Sequence, residues 1–104
     1  MKRPVLWSED ALNELDKSIA YIAARNPAAA RKVLAEIRKA GNGLGVTATG
    51  RRGRVADTYE KSVTRRPYII AYALEPLPDG GERVVILHVI HTARDWPQGH
   101  WPEE

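Results

Sequence analysis

Side chains that could act on a phosphodiester cluster near the end of the chain, at His91, Arg94, Asp95 and Trp96. Histidine transfers protons near neutral pH, arginine stabilises developing negative charge, and a carboxylate can orient an imidazole. Such a set would suit cleavage of RNA without a metal. A structural interpretation stays open, in which Arg94 and Asp95 pair with each other and Trp96 covers the edge of the core.

The segment that leads into this cluster is rich in valine and isoleucine and predicts a buried strand at about 83–91. Side chains alternate along a strand, so His88 and His91 should point to opposite faces and should not chelate a metal together. The alternation predicts that His88 shares a face with Ile86 and Ile90. One of the two histidines is expected to be structural, and His91, at the strand end, is the better functional candidate.

Two amphipathic helices precede this region and follow a short apolar strand at 4–7. Ser8 stands at an N-cap position, and apolar residues recur at steps of three and four over 9–25. Asn26 followed by a proline predicts the start of a second helix, which should end near residue 40. Gly41 is expected to stop that helix in a left-handed conformation. The two helices should form an antiparallel hairpin.

The rest of the chain predicts a loop at 41–57 and three strands at 58–63, 68–75 and 83–91. An Asp-Gly pair in the 76–82 connection favours a hairpin between the last two strands. We therefore expect a single α+β domain over residues 1–104. It should have an N-terminal strand and a two-helix antiparallel hairpin, packed on a mostly antiparallel sheet with a C-terminal three-stranded meander.

A glycine-rich run at residues 41–45 is superficially similar to a phosphate-binding loop. That motif follows a strand and opens a helix, whereas here a helix precedes and a basic loop follows. Nucleotide binding is therefore rejected, and we expect no cofactor.

Charge is distributed unevenly, since the net charge is +3 but residues 26–66 hold ten basic and three acidic residues. A basic middle favours an anionic partner, either an acidic protein segment or nucleic acid, although a solvated basic face is the alternative. Cysteine is absent, and neither a signal peptide nor a membrane-spanning apolar run is recognisable. We expect a cytoplasmic protein with no metal site and no membrane association.

Three motifs carry a resemblance to a known family: Trp7-Ser-x-x-Ala11, Pro67-Tyr-x-x-x-Tyr72 and His91-x-Ala-Arg-Asp-Trp96. In this order and spacing, the chain resembles the ParE branch of the RelE/ParE superfamily, the toxins of bacterial type II toxin–antitoxin systems. The resemblance covers nearly the whole chain, and it implies the same helical hairpin on a curved antiparallel sheet.

The resemblance implies one of two activities. RelE-like members cut messenger RNA in the ribosome, whereas ParE-like members inhibit DNA gyrase by binding it. The RelE pattern places an arginine where this chain has Ile69, which cannot pair with a phosphate. The expected function is therefore inhibition of DNA gyrase without catalysis. The alternative is a ribosome-dependent mRNA endonuclease that uses His91 and Arg94.

The family resemblance also implies a cognate antitoxin whose acidic C-terminal segment lies against the helical hairpin and runs onto the sheet. Antitoxin-binding candidates are the apolar positions and arginines of the hairpin and the following loop: Leu12, Leu15, Ile19, Leu34, Arg38, Arg51, Arg52 and Arg54. Target-binding candidates are the cationic and aromatic residues near the last two strands: Arg65, Arg66, Tyr68, His91, Arg94, Asp95 and Trp96. Direct nucleic-acid binding is a secondary expectation.

Overall fold

A helical hairpin packs on one face of a five-stranded sheet in the computed structural model, which describes residues 2–94 and 96–102. The elements, in chain order, are β1 (Val5–Trp7), α1 (Glu9–Ala23), α2 (Pro27–Gly43), β2 (Arg51–Arg52), β3 (Tyr59–Ser62), β4 (Tyr68–Pro76) and β5 (Glu82–His91). Asp95, one of the target-binding candidates, lies outside the described residues.

Both helices begin where the sequence predicts. The Ser8 side chain accepts a hydrogen bond from the backbone N–H of Ala11, and the Asn26 side chain accepts one from Ala29, each at 3.1 Å. These bonds satisfy backbone donors that have no partner within the helix. Neither helix is long and apolar enough to cross a membrane, within the part of the chain that the structure describes.

The sheet has the strand order β1-β5-β4-β3-β2. β1 pairs with β5 in parallel, and every other neighbouring pair is antiparallel, which confirms the predicted α+β class and mostly antiparallel sheet. The predicted β4–β5 hairpin is also confirmed, with Gly80 in the left-handed region at φ 90°. β2 was predicted as loop, because a two-residue strand is too short to produce a detectable alternation.

Gly41 does not end the second helix, so that prediction was wrong. α2 continues to Gly43, and Gly41 lies within it in a right-handed conformation. The glycine is required by packing, since a Cβ atom here would lie 2.6 Å from the Trp7 ring atom Cη2 and 2.9 Å from Ile86 Cδ1. The absence of a side chain lets Trp7 pack directly against the helix.

A β-bulge in β5 changes which face each histidine occupies. Ala71 pairs with His88 but Tyr72 pairs with Ile86, so Leu87 is an extra residue in β5. Beyond the bulge the alternation is inverted. His88 therefore lies on the face opposite Ile86, which corrects the prediction that they share one. The expectation that His88 and His91 point to opposite faces holds.

Side chains between the hairpin and the sheet form the main core. Two residues assigned from the sequence to binding surfaces belong to it: Leu15 and Tyr68, which are 3% and 5% exposed. The structure corrects both assignments, because a side chain buried in the core cannot contact a partner of the folded domain. Tyr68 instead supports His91, whose ring meets it edge-on at 5.1 Å between centroids.

We predict that Gly41→Ala destabilises the fold, since the new methyl group would displace Trp7 or Ile86. Overpacking of this kind costs about 1–3 kcal/mol. Gly43→Ala is the matched control in the same helix, because a Cβ there meets nothing within 4 Å. Urea unfolding of both variants measures the difference. Equal stability of the two variants would contradict the packing role of Gly41.

Candidate functional site

A pocket of about 280 Å³ lies where β5 ends and brings together residues from three parts of the chain. Its lining combines cationic, aromatic and hydroxyl groups with one buried aliphatic side chain: Arg54, Ile69, His91, Thr92, Arg94 and Trp96. Three target-binding candidates, His91, Arg94 and Trp96, therefore share one site. Arg54, assigned from the sequence to the antitoxin surface, lines the same pocket.

A tight turn after β5 holds His91 in place. The N–H of Thr92 donates to the carbonyl of Pro67 at 2.9 Å, which anchors the turn to the start of β4. The N–H of Arg94 donates to the His91 carbonyl at 3.1 Å, and the N–H of Ala93 donates to His91 Nδ1 at 3.0 Å. Because Nδ1 is an acceptor, the neutral imidazole carries its proton on Nε2.

This bond limits the chemistry that His91 can perform. A catalytic histidine base is commonly oriented by a carboxylate that accepts a hydrogen bond from the N–H of the other ring nitrogen. Here Nδ1 of His91 accepts from a backbone N–H, so no carboxylate orients the ring through that atom. The described lining residues also include no Asp or Glu. A carboxylate acceptor at Nδ1 would require that nitrogen to carry the proton, which the bond from Ala93 does not favour; Asp95, the carboxylate of the predicted set, lies outside the described residues. The cations of the described lining are suited to binding an anionic group.

A buried carboxylate organises the arginine-rich segment beside the pocket. Glu60 is 3% exposed, accepts a hydrogen bond from the Arg54 backbone N–H at 2.7 Å, and lies 3.5 Å from Arg51 Nη2. The Arg54 guanidinium is then stacked over the Trp96 ring at 4.2 Å. Glu60 was not predicted as a site residue. The feature that could have identified it is a single acidic residue in a predicted strand that follows an arginine-rich segment.

The tail after Trp96 packs on the face of the sheet that lies away from the helices. Trp101 stacks on Trp96 at 5.9 Å and contacts the His88 ring at 4.4 Å between centroids. The N–H of Gly99 donates to the Arg54 carbonyl at 2.9 Å. The described part of the tail, residues 97–102, has no regular secondary structure, as expected, but Trp101 packs beside the pocket residue Trp96 and was not predicted from the sequence. Trp96 is thus held between Arg54 and Trp101.

His88 has a structural role. Its Nδ1 lies 3.1 Å from the carboxylate of Glu14, which also accepts a hydrogen bond from the N–H of Val89 at 3.0 Å. β1 pairs with β5 only as far as Ile86, so Glu14 covers backbone that would otherwise be unpaired. His88 is therefore the structural one of the two histidines.

A second cavity, of about 520 Å³, lies between the end of α2 and β3 and includes Arg65. We call it the α2–β3 groove. Arg66 points to α2, where its Nε donates to Glu36 Oε2 at 2.5 Å. This hydrogen bond lowers the pKa of the Glu36 carboxyl below its ordinary value of 4.5 and raises that of Arg66. Arg65 and Arg66 therefore lie apart from the His91 pocket.

The hairpin candidates are exposed to very different degrees. Leu12 is 45% exposed, and Ile19 and Leu34 are partly buried against the core. Tyr21, 65% exposed on α1, was not predicted; it is nine residues after Leu12, which places it on the opposite side of the helix, where Arg25 stacks over its ring. Three arginines of the antitoxin set lie on the surface: Arg38, Arg51 and Arg52.

These features define a small α+β protein that presents cationic and aromatic groups from a rigid sheet. No group of three or more potential metal ligands occurs among the described residues. A family model for the ParE toxin of the type II toxin–antitoxin system parDE matches residues 5–96. The chain therefore belongs to the ParE family of toxins.

Two comparisons agree with this assignment. The chain is 37% identical over 98 residues to a Sinorhizobium fredii (strain NBRC 101917 / NGR234) protein described as “Putative toxin Y4kP”, covering 93% of this chain and 96% of that protein. Its fold is similar to a solved chain described as “Chromosomal ParDE TA system from P. aeruginosa”. That match has a TM-score of 0.75 at 19% identity and covers 86% of this chain and 96% of the other.

We predict that Glu60→Ala lowers stability and loosens the arginine segment, because the buried N–H of Arg54 loses its acceptor. Such a loss costs about 1–3 kcal/mol. Glu75→Ala is a control, since Glu75 forms a partly exposed pair with Arg83 and such pairs contribute about 0–1 kcal/mol. Denaturant unfolding compares the two. If Glu60→Ala is at least as stable as Glu75→Ala, Glu60 does not organise the arginine-rich segment.

The Glu36–Arg66 pair should make stability depend on pH. The folded-state pKa of Glu36 is lowered, so its contribution is complete above the unfolded-state pKa and is lost as the pH falls through the folded-state value. We predict that Glu36→Gln melts at a lower temperature than the parent at pH 7, and that the difference shrinks as the pH falls through the lowered folded-state pKa of Glu36. In the Glu36→Gln background, the further substitution Arg66→Gln should not lower the melting temperature any more. A pH-independent difference would refute the pairing.

Proposed function

We propose that this ParE-family toxin acts by binding DNA gyrase, through the pocket at the end of β5, and that it catalyses no reaction. The observation that carries the proposal is Ile69. It lines the pocket, is 6% exposed, and stands where the RelE pattern has an arginine. An isoleucine there can neither neutralise a scissile phosphate nor donate to it.

The pocket is suited to gripping a protein. Arg54 is held over Trp96, and both line the pocket together with Arg94 and His91. Desolvated arginine and tryptophan side chains contribute most strongly to protein interfaces. A rigid cationic pocket of this kind would accept an acidic side chain of the target. Binding to gyrase would also place the toxin in the cytoplasm.

The toxin belongs to a two-component system, so a cognate antitoxin is its partner. We propose that the antitoxin lays an apolar helix against Leu12, Ile19 and Leu34, with an acidic C-terminal segment directed to the basic middle of the chain. Exposed apolar anchors on a helical hairpin are typical of helix-in-groove recognition, and charge sets the register of such helices.

Purified gyrase provides the test. We predict that the toxin inhibits supercoiling and that Arg94→Ala weakens inhibition by about tenfold or more, the effect of losing one central interface arginine. Leu12→Asp is the matched control, because it lies on the proposed antitoxin surface. It should inhibit gyrase like the parent while escaping neutralisation by the antitoxin. Unaffected supercoiling at toxin excess would refute the gyrase proposal.

An mRNA endonuclease is the second candidate, favoured by the presence of Arg54, His91 and Arg94 in one pocket. Primer extension on mRNA after induction separates the two. New 5′ ends that vanish in His91→Ala would establish the nuclease. If no new ends form while cells stop growing, the gyrase proposal stands.

A further inference from the structure

The exposed side of α2 carries a row of cations. Two pairs of adjacent basic residues lie seven positions apart on this helix, Arg31 with Lys32 and Arg38 with Lys39, and all four are exposed. Seven residues complete almost two helical turns, so the two pairs lie on the same side of α2 and about 10 Å apart. None of the four forms an ion pair with a described residue.

The α2–β3 groove extends this row. Lys39 belongs to both surfaces, and the groove adds Arg65 and Lys61, whose Nζ donates to the Thr49 hydroxyl at 2.8 Å. Glu36 is the one acid among the described lining residues, and its carboxylate is engaged by Arg66. The combined surface is therefore positive. We call it the basic face, and its cations are Arg31, Lys32, Arg38, Lys39, Lys61 and Arg65.

Arg65 adds an independent observation. It adopts a left-handed conformation, with φ at 63°, in the turn between β3 and β4. This conformation is unfavourable for a residue with a long side chain, and glycine or asparagine would be easier to accommodate. Residues held in such conformations cluster at binding and active sites. Here the strained residue places an exposed cation at the rim of the groove.

The composition of the basic face distinguishes among anionic partners. The exposed positions of α2 include no large apolar or aromatic side chain, and Leu44 and Val63 of the groove are only 1% and 4% exposed. Protein interfaces depend on aromatic and aliphatic anchors and are depleted in lysine. Single-stranded nucleic acids are bound by aromatic side chains on which their bases stack. Cations without such anchors match the backbone of a duplex, whose phosphates alone face outward.

We propose that the basic face binds the phosphate backbone of double-stranded DNA without reading its sequence. One strand of a duplex carries a phosphate about every 3.4 Å along the axis, so the two cation pairs of α2 span about three phosphates. This inference goes beyond the proposed function, since it requires neither gyrase nor the antitoxin. Where the acidic segment of the antitoxin reaches the same cations, the two ligands exclude each other, so binding is measured with the free toxin.

The salt dependence of binding is the first measurement. The full-length toxin is titrated into a short fluorescent DNA duplex of arbitrary sequence at several salt concentrations. Each neutralised phosphate contributes about −0.9 to the slope of log K against log salt, so six cations allow a slope of about −5 at most. We predict a slope of about −3 to −5. A duplex of unrelated sequence should bind within about twofold.

Variants locate the contact. Lys32→Gln with Lys39→Gln should make the slope shallower by about 2 and weaken binding by about tenfold or more at about 0.1 M salt. Lys2→Gln with Lys17→Gln is the matched control, because it removes the same charge from two exposed lysines outside the basic face. It should change the slope by less than about 0.5.

Arg65→Asn tests the turn separately. Asparagine tolerates the left-handed conformation, so this variant should melt no lower than the parent. It should nevertheless make the slope shallower by about 1, because one phosphate contact is lost.

Three outcomes would overturn the inference. The first is equal weakening by the Lys2/Lys17 control, which would assign the attraction to net charge. The second is a single strand of the same length that binds as tightly as the duplex. The third is a polyglutamate peptide of equal charge that displaces the duplex equally well, which would assign the face to an acidic protein segment.

The inference and the gyrase proposal fail separately. The Lys32/Lys39 variant should still inhibit supercoiling like the parent, because the pocket at the end of β5 is intact. If the parent inhibits gyrase but does not bind a duplex, the inference is wrong and the proposed function stands. If the parent binds a duplex but leaves supercoiling unaffected, the proposed function is wrong and the inference stands.

Discussion

The hydroxyl group of Ser8 joins the parts of the fold on which everything else depends. It accepts a hydrogen bond from the N–H of Ala11, which starts α1, and it donates to the carbonyl of Leu87 at 3.0 Å. The backbone N–H of Ser8 donates to Ile86 at 2.9 Å. One residue thus ends β1, caps the first helix and holds the bulge of β5. The inverted alternation beyond Leu87 keeps Val89 on the core face and turns His88 toward Trp101.

The outer face of the sheet depends on a second buried group, Glu60. Its carboxylate fixes the backbone of Arg54, and Arg54 in turn holds Trp96 and accepts from Gly99. A carboxylate this deeply buried must be hydrogen-bonded or paired, so the surrounding arginines serve the fold as well as binding. The high positive charge of residues 26–66 is therefore partly structural, since Arg51 and Arg66 already have acidic partners.

Local signals in the sequence were sufficient to predict every helix and strand of this fold except the two-residue β2. Ser8 and Asn26 are caps whose chemistry is contained within four residues, and the valine-rich run of β5 is a strand in any context. The predictions about Gly41 and His88 failed because both positions depend on contacts between residues far apart in the sequence. Position 41 requires glycine because the Trp7 ring packs against the helix there. Leu87 is the extra residue of the β5 bulge, and its carbonyl is held by the Ser8 hydroxyl while the register with β4 shifts around it. Three of the pocket residues, His91, Arg94 and Trp96, were candidates from the sequence. Arg54 joins them through contacts with Glu60 and Trp96 that the sequence does not show.

The turn at residues 64–67 links the two cationic sites of the molecule, the α2–β3 groove and the pocket at the end of β5. Arg65 borders the α2–β3 groove, while the carbonyl of Pro67 accepts from Thr92 and anchors the turn that carries His91 and Arg94. The same short turn therefore supports both cationic sites. Arg66, tied to Glu36 on α2, fixes the position of that turn relative to the helix.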